Sequence, residues 1–293
     1  MKKLFLFGAL AFSLSGFAQK VTGKIGLQKG QKLEVATETK RNATQELMGQ
    51  TMESSMSSSS LEVYDVQDAS ATGATIEHKV KQFKFSAEGG GQAQSFDSEK
   101  PEDLKGEMGQ IIDKKVLKNK YTMTIDAAGK VASVRLDDDN AAAKKKDEEQ
   151  GGMAEMMAEQ MGANVATPKA GDPTLFSVIP ANREVGVGDT WSDSTGKDGM
   201  RMKKTYTVKS ISADEVVVAF TSETRVEKTM QIMGNDASIN TTDKGTGTIT
   251  FDRKSGVVKL ISSTSKTEGA VEAQGMTIPL TAETTTTVTV KAS

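Results

Sequence analysis

The chain lacks cysteine altogether and has one histidine, one tryptophan and five prolines among its 293 residues. Without cysteine it can form no disulfide, bind no metal through thiolates and carry out no thiol catalysis. A bacterial lipid anchor is excluded as well, because it needs a cysteine at the cleavage point of the precursor. A metal site with two histidine ligands cannot form, since His78 is the only histidine.

Several enzyme motifs are also missing. No Gly-x-Ser-x-Gly elbow stands in a strand-to-helix context, and Gly89-Gly90-Gly91 is not followed by the Lys-Ser/Thr of a phosphate loop. His78 lies on an alternating strand pattern, which favours an exposed imidazole or one paired with a carboxylate. We therefore expect a protein that is not an enzyme and has no cofactor or metal. A hydrolase that uses a pair of carboxylates remains an alternative, because the distance between two carboxylates depends on the fold and is not given by the sequence.

The longest apolar run is at the start of the chain. Lys2 and Lys3 precede an apolar stretch over 4–17, and small residues stand at the first and third positions before Gln19. This pattern predicts a signal peptide over 1–18, cleaved after Ala18. The run is shorter than the about 20 residues that a membrane-spanning helix needs. The expected location is therefore periplasmic or extracellular, with no stable membrane anchor.

Basic residues are too few for a nucleic-acid partner. The net charge of −2 becomes −4 once Lys2 and Lys3 leave with the signal peptide. A protein that binds nucleic acid through its phosphates needs a basic surface instead. The remaining candidate partners are a lipid or other apolar small molecule and an envelope protein.

Most of the mature chain shows the period-2 alternation of β-strands. The predicted fold is mainly β, with two related antiparallel β-lobes, built as curved sheets or sandwich-like, a helical connector and one short inserted helix. We expect the N-terminal β-lobe over 19–136, with a helical insertion near 88–119. A helical Met-rich connector follows over 137–172, and the C-terminal β-lobe covers 173–293. The serine-rich stretch 54–60 is interpreted as an exposed edge strand.

Two pairs of landmarks indicate an internal repeat. The openers of the lobes are Lys29-Gly30-Gln31 and Val187-Gly188-Asp189, and later hairpin turns begin at Asp126 and Asp252. The distance from opener to hairpin is 96 residues in the first half and 64 in the second, a difference of 32. The helical insertion accounts for this difference, so a duplicated β-lobe with one decorated copy explains both spacings.

Methionine beside glycine at hairpin tips is the most unusual local signal. Unbranched, polarizable methionine suits a deformable apolar cavity, although the same side chains could fill the core. The candidate ligand-binding residues are Met48, Met52, Met153, Met156, Met157, Met161, Met200, Met202, Met230, Met233 and Met276. Trp191 could likewise plug the end of a lobe or contact a ligand.

The chain resembles a family of secreted bacterial proteins known only as a domain of unknown function, typical of the Bacteroidota. The resemblance rests on Lys29-Gly30-Gln31, Met48-Gly49, Ile179-Pro180, Val187-Gly188-Asp189-Thr190-Trp191 and Gln274-Gly275-Met276-Thr277-Ile278-Pro279. It implies an envelope location and no assigned activity, so no functional residues come with it.

Two functions of different classes fit these observations. The first is a secreted or periplasmic binding protein that holds a hydrophobic or amphiphilic ligand between β-lobes, with the methionines as a lid. The second is a structural or protein-interaction module of the cell envelope that binds through edge strands. An open apolar cavity would favour the first, whereas filled cores with an exposed edge would favour the second.

Overall fold

The structure is a computed structural model that describes residues 19–47, 49–136, 158, 161–163, 167–176, 178–197, 199–232, 235–273 and 276–293. Its strands are β1 (Lys20–Val21), β2 (Lys32–Leu47), β3 (Gln50–Ser70), β4 (Gly73–Gly89), β5 (Gln92–Asp97), β6 (Tyr121–Asp126), β7 (Val131–Leu136), β8 (Val185–Gly186), β9 (Thr190–Lys197), β10 (Met200–Ile211), β11 (Glu215–Ile232), β12 (Asn235–Asp252), β13 (Val258–Ala273) and β14 (Met276–Ala292). Between β5 and β6 lie a 3₁₀ turn (Asp103–Lys105), helix α1 (Glu107–Ile112) and a π-helical turn (Asp113–Leu117).

Twelve of these strands form one open antiparallel sheet, which confirms the mainly β prediction. The strand order is β7-β6-β4-β3-β2-β14-β13-β12-β11-β10-β9, and β5 pairs with β4. The short strands β1 and β8 pair with each other. Because β14 pairs with both β2 and β13, the two halves of the chain share a single sheet.

One face of the sheet is buried and the other is largely exposed to solvent. In β4 burial alternates along the strand, so that Ile76, His78 and Val80 are buried while their neighbours are more exposed. In β14 the buried Ala282 is followed by the exposed Glu283. This alternation is the expected pattern of an antiparallel sheet with one solvated face. We call the buried side the inner face.

The main hydrophobic core lies on the inner face, at the end of the sheet near the Asp126 and Asp252 turns. Leu33, Val208 and Phe251 are among its fully or almost fully buried members. The segment 19–31 crosses this end of the sheet. Its backbone is bonded to both halves, since Gly26 N donates to Ser255 O at 2.7 Å and Gly30 N donates to Val66 O at 2.8 Å.

A second hydrophobic cluster packs on the inner face of β3 and β4. It consists of Val80, Phe83, Phe85, Phe96, Ile112, Val116, Ala158, Met161 and Ala163. The predicted inserted helix therefore exists and covers this part of the sheet. Strand β3 lies between β2 and β4, so the prediction of an exposed edge strand at 54–60 was wrong. Small side chains are needed there, because a Cβ on Gly162 would lie 2.5 Å from Ser58 Oγ.

The contacts of the two openers agree with the internal repeat. In each half the opener glycine donates its N–H to the carbonyl of a strand valine, and that valine donates to the carbonyl of the residue after the glycine. These residues are Gly30, Gln31 and Val66 in the first half, and Gly188, Asp189 and Val208 in the second. The sheet runs through β7-β6-β4-β3-β2 and, after β14, through β13-β12-β11-β10-β9 in the same sense. Strand β5 and the helices have no counterpart between β11 and β12.

Candidate functional site

A cavity of about 930 Å³ lies between the inner face and the residues that precede β8. Both halves of the sheet line it, since Tyr121 of β6 and Trp191 of β9 border the same space although their strands lie near opposite edges. The sheet must therefore curve around the cavity. The floor also includes Val35, Thr37, Met123, Met202, Phe220, Ile249, Ile261 and Val288.

Residues 168–176 and 178–182 cover the cavity, and we call them the strap. One end of the strap is bonded to the β7 edge of the sheet, where Gly171 N donates to Val131 O at 2.8 Å and Val131 N donates to Asp172 O at 3.0 Å. Near the other end, Trp191 Nε1 of edge strand β9 donates to Val178 O at 3.1 Å. The strap thus joins the two edges of the open sheet.

The strap adds apolar surface to the cavity. Leu175, Phe176, Val178 and Ile179 border it, and Phe176 and Ile179 are buried. No methionine lies in the strap, so it differs from the methionine lid expected from the sequence. Aliphatic and aromatic side chains therefore dominate both the floor and the cover, which is typical of sites for apolar small molecules.

Aromatic rings form one wall of the cavity. Trp191 stacks on Tyr206 with 5.4 Å between ring centroids, and Phe220 lies 6.3 Å from Tyr206. The ring of Phe220 lies across Gly247 of β12, where a Cβ would come within 2.6 Å of it. Burial raises the pKa of Tyr206 to about 12, with a smaller contribution from the charge of Asp193. Trp191 therefore holds the strap by its hydrogen bond to Val178 and also lines the cavity.

A buried carboxylate lies on the opposite wall. Glu62 is 8% exposed and accepts hydrogen bonds from His78 Nε2 at 3.0 Å, Tyr64 Oη at 3.0 Å and Ser60 Oγ at 3.3 Å. The ring of His78 is stacked on Tyr121 with 4.4 Å between centroids. Because a carboxylate only accepts, Nε2 carries the proton of this bond, and Nδ1 has no partner among the described residues. The pairing expected for His78 is present, but the residue is buried.

The electrostatics of this cluster favour an ionised Glu62. Burial alone would raise the pKa of Glu62, but the hydrogen bond and attraction from His78, with the hydroxyls of Tyr64 and Ser60, outweigh it and lower this pKa. Burial and the nearby Glu62 charge raise the pKa of Tyr64 and of Tyr121 above the usual tyrosine range. Both phenols therefore remain neutral beside Glu62, whose carboxylate already accepts three hydrogen bonds.

Lys204 occupies the position in the second half that Glu62 occupies in the first. Glu62 stands two residues before Tyr64, and Lys204 stands two residues before Tyr206. Tyr64 pairs with Leu33, and Tyr206 pairs with Trp191. Each of these partners stands three residues after the opener glycine of its half. Sequence reasoning missed both charged residues, although the repeated spacing to tyrosine could have identified them.

The predicted methionines whose side chains the structure describes lie at several separate places. Met202 lines the cavity, and Met161 is buried in the second hydrophobic cluster. Met52, Met200 and Met276 are exposed at the ends of hairpins. Met230 lies near the end of β11, and its side chain is outside the described part. The remaining predicted residues, Met48, Met153, Met156, Met157 and Met233, also lie outside the described residues.

Two further features concern the described residues only. No group of three or more His, Asp or Glu side chains is arranged to hold a metal ion in that part of the chain. Among the same residues, no helix has the length and apolar character required to cross a membrane. The chemical groups that face the cavity are apolar side chains, hydroxyls, the amide of Asn182 and the charged residues Glu62, Lys130, Asp193 and Lys204.

The chain belongs to the Family of unknown function (DUF6263), whose family model matches residues 71–258. The match runs from the end of β3 to the start of β13 and therefore includes parts of both halves. It confirms the sequence-based recognition of a family of unknown function. No curated protein matches this chain.

Among solved structures, the fold is similar to that of lipovitellin in the structure "Lipid-protein interactions in lipovitellin". The TM-score is 0.51 at 13% identity, and the match covers 91% of this chain and 26% of that chain. The chain thus spans about a quarter of the length of the lipovitellin chain. The β domain of the Bordetella autotransporter BrkA matches with a TM-score of 0.25 at 6% identity, over 87% of this chain and 98% of that chain.

Proposed function

We propose that the protein is a non-enzymatic binding protein that holds a hydrophobic or amphiphilic molecule in the cavity under the strap. The cavity carries this proposal. Its volume of about 930 Å³ is at the upper end of the range for small-molecule sites, which is about 300 to 1,000 Å³. Its lining is mainly apolar, and a few polar groups are placed on opposite walls, as in sites that orient an amphiphile.

The similarity to lipovitellin supports the proposal at the level of the fold. Lipovitellin is a protein with lipid–protein interactions, and the fold it shares with this chain is a large antiparallel sheet. A curved sheet with an apolar inner face can enclose lipid without any catalytic group. The ligand of this chain is a proposal of its own, because the likeness at 13% identity concerns the fold.

The structural or protein-interaction alternative has less support. It predicts filled interiors and a free edge strand, whereas this inner face encloses a cavity. Part of the β7 edge is also bonded to the strap through Val131. Edge strand β9 contributes Trp191 to the same cover.

Cavity filling tests the proposal. Ile261 faces the cavity, and the adjacent Leu260 is exposed on the other face of β13. We expect Ile261→Trp to weaken binding of the uncharged probe N-phenyl-1-naphthylamine by at least about tenfold, because indole occupies the space of the ligand. Leu260→Trp is the matched control and should bind as the wild type does.

Two outcomes would refute the proposed function. One is the absence of probe binding by the wild type, together with no co-purified lipid in native mass spectra. The other is equal probe binding by Ile261→Trp and the wild type, which would place the probe elsewhere. Thermal unfolding of both variants checks that the comparison is made between folded proteins.

We also propose that the protein works outside the cytoplasm after removal of residues 1–18. The fold uses residues directly after the expected cleavage point, since Gln19 Oε1 accepts from Arg253 Nη1 at 2.9 Å and β1 begins at Lys20. N-terminal sequencing of protein from the periplasm or medium should begin at Gln19. An uncleaved Met1 in cytoplasmic protein would contradict this location.

A further inference from the structure

One charged side chain on the cavity wall has no bonding partner. Lys204 is half-buried on the inner face of β10, opposite Ser222 of β11 and Asp193 of β9. Within the described part of the chain it makes no hydrogen bond or ion pair, and its Nζ lies 5.3 Å from the ring centroid of Phe220. A partly desolvated ammonium group with only an aromatic face beside it can bind an anion from outside the protein.

The other charged residues that line the cavity do not play this role. Lys130, the second lysine there, is exposed to solvent next to β7. Glu62 already accepts from three donors, so its carboxylate needs no further partner. Asp193 is exposed to solvent. Burial lowers the pKa of Lys204, and the charge of Asp193 offsets this lowering only in part. Of the two equivalent positions in the repeat, only Lys204 therefore offers a charge to a ligand.

An apolar path leads away from Lys204 across the sheet. It passes Phe220 on β11, Ile249 on β12, Ile261 on β13 and Val288 on β14 before it reaches Val35 on β2. Five steps between neighbouring strands, at about 4.8 Å each, give a path of roughly 24 Å along the curved floor. One leaflet of a bilayer core is only about 15 Å thick, so this path accommodates a long acyl chain.

We propose that the ligand is a single-chain anionic amphiphile, a long-chain fatty acid, whose carboxylate binds Lys204 while its acyl chain lies along this path under the strap. The inference rests on the proposed function and specifies its ligand. One ammonium group neutralises one negative charge, which suits a carboxylate better than a doubly charged phosphate. The strap, with Phe176 and Ile179, covers the acyl chain.

The test compares hexadecanoate with hexadecan-1-ol, which has the same chain without the charge. Each displaces N-phenyl-1-naphthylamine from the wild type, Lys204→Met, Lys204→Arg and Lys203→Met. Lys203 is the matched control, because it is exposed on the other face of the same strand. We expect hexadecanoate to bind the wild type about tenfold or more tightly than the alcohol, as a charge-assisted hydrogen bond would give.

The variants should separate charge from shape. Lys204→Met should lose about tenfold or more in affinity for hexadecanoate and keep its affinity for the alcohol. Lys204→Arg and Lys203→Met should retain the preference for the acid. Equal binding of acid and alcohol by the wild type, or an unchanged acid affinity in Lys204→Met, would overturn the assignment while the proposed function stands. If the probe itself does not bind, the proposed function fails and this assignment fails with it.

Discussion

Replacement of Glu62 tests whether its buried carboxylate is ionised in the folded protein. Glu62→Gln keeps the size of the side chain and leaves one oxygen to accept from His78 and Tyr64. What is lost is the charge on the acceptor. Hydrogen bonds to a charged group contribute about 1.5–3 kcal/mol, against about 0.5–1.5 kcal/mol for neutral ones. The loss is about 1–1.5 kcal/mol for each bond, so for two bonds we expect Glu62→Gln to lower the free energy of unfolding by about 2–3 kcal/mol at pH 7.

The same reasoning gives a pH dependence with a definite sign. The pKa of Glu62 is lower in the folded protein than in the unfolded chain, where it is about 4.3. Its stabilising contribution is therefore fully present above about pH 4.3 and is lost as the pH falls through the lower folded-state pKa. Glu62→Gln has no such contribution. The difference in stability between the two proteins should shrink on acidification below about pH 4.

Urea unfolding at a series of pH values between about 7 and 3 measures this difference. Glu62→Leu is the companion variant, because it leaves the donors of His78 and Tyr64 buried without an acceptor. We expect it to cost about 3–5 kcal/mol at pH 7, as for a broken buried pair. A difference between the wild type and Glu62→Gln that stays constant down to about pH 3 would refute an ionised Glu62.

Three further substitutions probe the packing around the cavity and the turns. Gly247→Ala should cost about 1–3 kcal/mol in urea unfolding, because its Cβ would lie 2.5 Å from the backbone oxygen of Ser262 and 2.6 Å from the ring of Phe220. Asp252→Ala should lower the thermal midpoint, with a loss of about 1–2 kcal/mol, because the carboxylate accepts from two backbone N–H groups and one hydroxyl in its turn. Gly162→Ala should cost about 1–2 kcal/mol in urea unfolding, since Gly162 has a φ of 77° and its Cβ would press on Ser58.

Controls for these substitutions are available in the same half of the sheet. Gly196→Ala on β9 has no atom closer than 3.5 Å to the added Cβ, and Asp214→Ala removes an exposed carboxylate next to the Asp252 turn. Both should change the free energy of unfolding by less than about 0.5 kcal/mol. Equal losses in a control and its test variant would contradict the packing argument. For Gly162, Ser58→Ala should recover part of the loss.

Much of the fold could be predicted from local pattern. Period-2 alternation identified the long strands, and an aspartate followed by glycine identified the turns at Asp126 and Asp252. The sequence did not show which strands pair with each other, because the alternation identifies the buried face of a strand but not its neighbours in the sheet. This is why the serine stretch of β3 was wrongly assigned to an edge.

The candidate site was harder to predict because it depends on contacts between distant residues. The strap is held by bonds from Gly171 and Asp172 to Val131, and from Trp191 to Val178. Nothing in the local sequence of the strap indicates these partners. Methionine near a hairpin tip could be recognised, but whether the tip folds over the sheet could not. Met202 reaches the cavity because it is two residues from Lys204 on the inner face.

The pairing of β2 with β14 has a consequence for how the chain folds during synthesis. The hydroxyls of Thr39 and Thr286 meet across these strands at 3.4 Å, although they are 247 residues apart in sequence. Contacts of such separation form slowly. Until β14 leaves the ribosome, β2 and β13 each present a long unpaired edge that could join another chain. Charged residues on β2, such as Glu34, Glu38 and Lys40, oppose pairing of this edge with another chain until β14 has been synthesised.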